Sequence, residues 1–223
     1  MARAAALQHP HLSRRALLMG AASVAAAGVG LAGFPRPASA GAQIEEPLAD
    51  AVRTALSAAI ANSAPPVPEF ASTDARLAYL RWLSAMSDRL YKRMRDFTRR
   101  IEFLQTVWYE SHRAGLQTSL VLGLIQVESN FRKFAVSSAG ARGYMQVMPF
   151  WTRQIGDGDP GTLFHMQANL RFGCVILRYY LDLERGNLFM ALGRYNGSRG
   201  QQPYPNAVLA AQKRWLYAPD LNL

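Results

Sequence analysis

From Leu80 to Leu104 the apolar residues return at steps of three and four: Leu80, Leu83, Met86, Leu90, Met94, Phe97, Ile101 and Leu104. That is the period of an α-helix, and it lays one continuous apolar stripe along its side. Nowhere does the chain alternate apolar and polar residues over the length of a strand. A mainly α fold is the expectation.

The same period predicts the other elements. Leu48 to Ala61 reads as a short amphipathic helix, closed by the stiff run Ala64-Pro65-Pro66-Val67-Pro68. Thr73 or Asp74 caps one long helix that carries the stripe to about His112, and Gly115 ends it. Arg89, Lys92, Arg93, Arg95, Arg99 and Arg100 lie between its apolar positions, as a solvated face or as a contact for an anionic surface. Thr118 or Ser119 opens a second helix through about Ser129. Residues 134–147, rich in Ser, Gly and Ala, read as a loop or small hairpin. Further helical segments are expected at Pro149–Ile155, His165–Glu184, Leu188–Arg194 and about Asn206–Trp215.

The N-terminus has the layout of an export signal. Positive charge at His11–Arg15 precedes the small apolar run Ala16–Ala32, and Ala38-Ser39-Ala40 offers a cleavage site. Ser13-Arg14-Arg15-Ala16-Leu17-Leu18 resembles a twin-arginine signal, with a general secretory signal as the alternative. Residues 1–40 hold four of the 25 basic residues and none of the 15 acidic ones, so the remainder carries 21 − 15 = +6. A moderately basic exported protein is suited to anionic cell-wall polymers; no motif accompanies a nucleic-acid reading. The location expected is periplasmic or secreted, with membrane contact only during export. Cys174 is the single cysteine, so no intramolecular disulfide forms; in its apolar helical setting it reads as a small buried hydrophobe. The four histidines are scattered, and neither metal spacing nor a phosphate-binding loop calls for a cofactor.

Glu128 ends an apolar helical stripe made by Val121, Leu124 and Ile125. A carboxyl group there is an exposed helix end or a desolvated acid. Desolvation raises its pKa, as a general acid working near neutral pH needs.

The neighbouring residues carry a resemblance. Glu128-Ser129-Asn130-Phe131 is followed by Ser137-Ser138-Ala139-Gly140-Ala141-Arg142-Gly143-Tyr144-Met145-Gln146-Val147-Met148-Pro149. Then come Asn169-Leu170 with Gly173 and Tyr180-Leu181, the block Ala191-Leu192-Gly193-Arg194-Tyr195-Asn196-Gly197, and Tyr204-Pro205-Asn206-Ala207-Val208. In order and spacing these resemble the soluble lytic transglycosylases, glycoside hydrolase family 23. The departures are Lys133 where proline is usual, Tyr144 where leucine is usual, and Gly193-Arg194 before the Tyr-Asn pair.

The resemblance implies a lysozyme-like α+β catalytic domain over residues 105–217. A helical extension at 41–104, the signal at 1–40 and a tail at 218–223 complete the chain. It further implies peptidoglycan glycan strands as substrate, no cofactor, and Glu128 as the single catalytic acid/base. Ser137, Gln146, Met148 and Tyr195 match residues that line the family's cleft. Ser137 and Gln146 would bond acetamido or peptide-bearing groups, Met148 would pack on a sugar face, and Tyr195 would orient Glu128 or the acetamide. The plain alternatives are loop-bracing bonds for Ser137 and Gln146, core packing for Met148, and a satisfied buried hydroxyl for Tyr195. A lysozyme-type hydrolase needs a second carboxylate, for which Asp157 and Asp159 are the candidates. A non-catalytic wall-binding or assembly module would not need Glu128.

Overall fold

The computed structural model describes residues 43–61 and 68–217. The export signal, most of the proline-rich run and the tail at 218–223 lie outside the described residues. The fold is mainly α, as the periodicity predicts. Extended pairing among the described residues is limited to two antiparallel bridges, Val136 with Arg142 and Arg142 with Val147.

After a short helix α1 at Asp50–Ala61, the long helix expected from Thr73 to His112 is two helices, α2 at Thr73–Leu90 and α3 at Phe97–Arg113. Ser72, one residue before the expected caps, accepts from Ala75 N. The break falls at Tyr91–Asp96, which contains neither glycine nor proline. Two side chains make it. Asp96 accepts from Arg99 N and starts α3. Arg100, only 6% exposed, donates to the Met94 and Arg95 carbonyls and to Ser87 Oγ. Carbonyls that a continuous helix would satisfy internally are thus satisfied by a guanidinium. Phe97, placed on the stripe by period, is instead 65% exposed.

Helix α4, Thr118–Glu128, runs through the core with Val121, Leu122, Leu124 and Ile125 fully buried. Its partner is α8, Pro203–Gln212, which begins three residues before the expected Asn206. Gln212 bonds Gln117 at one end and Tyr204 bonds Glu128 at the other, so the two helices run antiparallel. Gly123 lets them touch: a Cβ there would lie 2.6 Å from Gln212 N. Between them in sequence lie α5 (Phe150–Ile155), a 3-10 turn (Pro160–Phe164), α6 (Met166–Leu183) and α7 (Leu188–Asn196).

Helix α1 packs on α5 and α6. The buried Arg171 of α6 bonds Glu110 of α3 at 3.0 Å and donates to the Ile60 carbonyl. Residues 104 and 105, where the sequence divides extension from catalytic segment, sit in the middle of α3. Cys174 is buried, as expected.

Candidate active site

Glu128 is the last residue of α4. The helix must stop there, because Asn130 and Phe131 both take left-handed backbone conformations, with φ of 48° and 64°. Such positions are uncommon for residues other than glycine and cluster where function demands them. Phe131 is held by ring contacts to Phe103 and Trp215, and Asn130 by Arg93 Nε at 2.9 Å. Ser129 Oγ donates to the Tyr144 carbonyl at 2.7 Å, fastening the helix end to the 134–147 loop.

The Glu128 carboxyl is 5% exposed. Its Oε1 accepts a hydrogen bond from the Tyr204 hydroxyl, while Oε2 is buried without a partner. Burial pushes its pKa up to about 8, against the Tyr204 bond, which favours the carboxylate. A helix C-terminus also disfavours negative charge. Glu128 therefore keeps its proton at neutral pH, as a general acid must.

The four residues assigned to the cleft by resemblance cluster after Glu128, but three have their hydrogen-bonding groups engaged by the protein. Ser137 Oγ accepts from Ala141 N within the loop turn. Gln146, 2% exposed and at φ 50°, donates from Nε2 to the Ala135 and Gly143 carbonyls. Both side chains brace the loop. The Tyr195 hydroxyl donates to the Met145 carbonyl at 2.8 Å. The phenol bonded to Glu128 is thus Tyr204 and not Tyr195, which corrects the first of the two orienting roles expected of Tyr195 and leaves the second, toward the acetamide. Met148 is partly buried against the core, and its backbone N–H points to Gln43 Oε1 at 3.5 Å. Tyr204 belongs to the fourth sequence block, and that membership was the available signal for it.

Asn169 organises the loop from α6. Its Oδ1 accepts from Met145 N, and its Nδ2 donates to the Arg142 and Leu163 carbonyls, all within 2.9 Å. Gly173, one turn on, leaves room for Met145: a Cβ there would meet its sulfur at 2.3 Å. Asp157 and Asp159 are committed elsewhere. Asp157 accepts from Asp159 N and from Thr162 Oγ, and Asp159 accepts from Gly161 N. The ionisation of Glu128 is set by burial and Tyr204, with no second carboxylate acting on it among the described residues. Nor do the described residues gather three or more His, Cys, Asp or Glu side chains into a metal-binding group.

A proton-holding carboxyl at a strained helix end, braced by one phenol in a small helical domain, defines an acid/base centre. Residues 106–215 match the family model described as the transglycosylase SLT domain, so over that segment the chain is similar to lytic transglycosylases. Among similar proteins, the membrane-bound lytic murein transglycosylase C of Haemophilus influenzae (strain PittEE) is 28% identical over 114 residues, covering 44% of this chain and 32% of that protein. Its namesake from Actinobacillus pleuropneumoniae serotype 5b is 35% identical over 89 residues, covering 36% and 24%. The chain thus spans about a quarter to a third of the length of these relatives. A solved structure of an inactive mutant of the lytic transglycosylase Slt from Pseudomonas aeruginosa aligns with a TM-score of 0.40 and 21% identity, over 63% of this chain and 27% of that one.

Proposed function

We propose that this protein cleaves the MurNAc–GlcNAc bond of peptidoglycan glycan strands as a lytic transglycosylase, with Glu128 as its one acid/base. The observation that carries the reading is the Glu128 carboxyl itself, buried at the end of α4 and still protonated near neutral pH. Glu128 donates its proton to the glycosidic oxygen as the C1–O bond breaks. The substrate's own N-acetyl group stabilises the positive charge developing at C1. The Glu128 carboxylate then takes the proton of the C6 hydroxyl of the same sugar, and that oxygen closes on C1. The product carries a 1,6-anhydro ring, no water is consumed, and Glu128 ends protonated as it began. Most glycosidases divide these tasks between two carboxyl groups; Asp157 and Asp159, the candidates for a second one, are bonded within their own loop, which supports the one-group route over the hydrolase. The expected products from purified sacculi are 1,6-anhydro muropeptides, formed with a chelator present. Ordinary reducing ends carrying oxygen from labelled water would sink the proposal in favour of the hydrolase.

The substrate lies outside the cytoplasm, and the signal-like residues 1–40 supply the route. Among the described residues no helix is long and apolar enough to cross a membrane. N-terminal sequencing of the exported protein is expected to begin near Gly41. A form in the envelope that still contains Arg14-Arg15 would mean that the segment stays on as an anchor.

A further inference from the structure

We infer that residues 43–47 form an autoinhibitory strap that occupies the glycan cleft and must leave before a strand can bind. The inference rests on the proposed transglycosylase function and on Met148 as the residue that packs on a sugar face. Gln43 has no helix or strand around it, yet its side chain is only 4% exposed. Its Oε1 accepts from Trp151 Nε1 at 2.9 Å and faces the Met148 N–H at 3.5 Å. Its Nε2 is buried with no hydrogen-bond partner, close enough to the Tyr195 phenol to act on it.

The chemistry of the strap is that of the substrate. A glutamine side chain ends in a primary amide, and the sugars of peptidoglycan carry acetamido groups. Each presents a carbonyl oxygen to donors such as Trp151 Nε1 and the Met148 N–H. Two carboxylates follow. Glu45 pairs with Arg153 at 3.4 Å, and Glu46 pairs with Arg194 at 3.1 Å. Peptide stems on the glycan also present carboxylates. Arg194 is one of the two residues by which this chain departs from the family's Tyr-Asn block, and here it holds the strap.

The attachment is releasable. Glu45, Arg153 and Glu46 are half-exposed, and exposed pairs of this kind hold weakly and are screened by salt. Ile44, between Gln43 and the two acids, is 62% exposed and anchors nothing. Leu48, at the far end, is buried and fixes the point from which the strap can swing.

The test uses the exported chain with Gln43→Ala and Glu46→Ala combined, on soluble, uncrosslinked glycan strands that keep their peptide stems. A strap closed nine-tenths of the time raises the apparent dissociation constant about tenfold. The double variant is therefore expected to lower KM about tenfold with kcat unchanged and thermal midpoint preserved. An unchanged KM overturns the proposal, and so does a raised one, which would make Gln43 part of the substrate's own site. Strand binding is measured in parallel by anisotropy in a Glu128→Gln background, with and without the two strap substitutions. Tighter binding without lysis in any form keeps the strap and refutes the transglycosylase reading; equal binding refutes the strap whatever the chemistry proves to be.

Discussion

Glu128→Gln is expected to abolish lysis while leaving a folded and more stable protein. The amide can neither donate a carboxylic proton nor act as a base. A positioned acid/base is worth about 10²–10⁴-fold, and here one group serves both steps, so the loss is expected at the upper end or beyond. Stability should move the other way. With its folded-state pKa raised from 4.5 to about 8, Glu128 stabilises the fold fully below the unfolded pKa. That contribution is lost as pH rises toward about 8. At pH 7 the wild-type carboxyl thus carries a penalty that glutamine does not, of order 3 kcal/mol at about 1.4 kcal/mol per pH unit. The comparison is lytic rate together with thermal midpoint at pH 5 and pH 7. A variant that keeps more than about a tenth of the activity removes Glu128 from the chemistry. A lower midpoint than wild type at pH 7 contradicts the buried neutral acid. The same titration should bound the wild-type rate, which is expected to fall as pH rises through about 8. Tyr204→Phe removes the bond that favours the carboxylate, so the alkaline limb should move upward. An unmoved limb would separate Tyr204 from the ionisation of Glu128.

Asn169→Leu is expected to cost more stability than any surface change in the domain. Leucine has comparable size, so the loss is one of hydrogen bonding. The Met145 N–H and the Arg142 and Leu163 carbonyls would be left without their side-chain partner at a site 1% exposed. The Arg142 carbonyl keeps the Val147 N–H, so two groups are left unpaired. Buried groups left unpaired cost about 1–3 kcal/mol each, which puts the total at roughly 2–6 kcal/mol. That is a large part of the total stability of an ordinary domain, and at about 2–4 °C per kcal/mol the midpoint should fall by roughly 4–24 °C. The loop it braces holds Gln146 and receives Ser129, so activity should fall with it. An unchanged midpoint in a melting experiment would mean that water or the relaxed loop replaces the lost bonds.

The proposed catalytic carboxyl was legible because its signals are local: a stripe at i−4, i−3 and i−7, then a run of spaced residues following it. The helices were legible for the same reason. The break at Tyr91–Asp96 was not, because Arg100 creates it from within the next helix by taking up two carbonyls, and an arginine on a helical period reads as solvated. Ser137, Gln146 and Tyr195 were found by position, but position does not say whether a polar atom faces the cleft or the protein's own backbone. Tyr204 was quoted only as part of a matching segment, since its contact with Glu128 spans 76 positions and depends on the α4–α8 packing. Gln43 left no signal at all. Nothing in a short stretch before a helix marks a glutamine that inserts beside Met148 and Trp151.

The packing of α8 on α4 has a consequence in time. The phenol that meets Glu128 is made 76 positions after it, together with the helix that carries that phenol. Synthesis runs from the N-terminus, and segments generally fold as they become available. Until residues 203–212 dock along Gly123, the carboxyl lacks its bond to Tyr204 and the burial that raises its pKa is incomplete. A chain cut before Tyr204 is therefore expected to carry no armed acid and to leave intact the wall that the protein is proposed to cut.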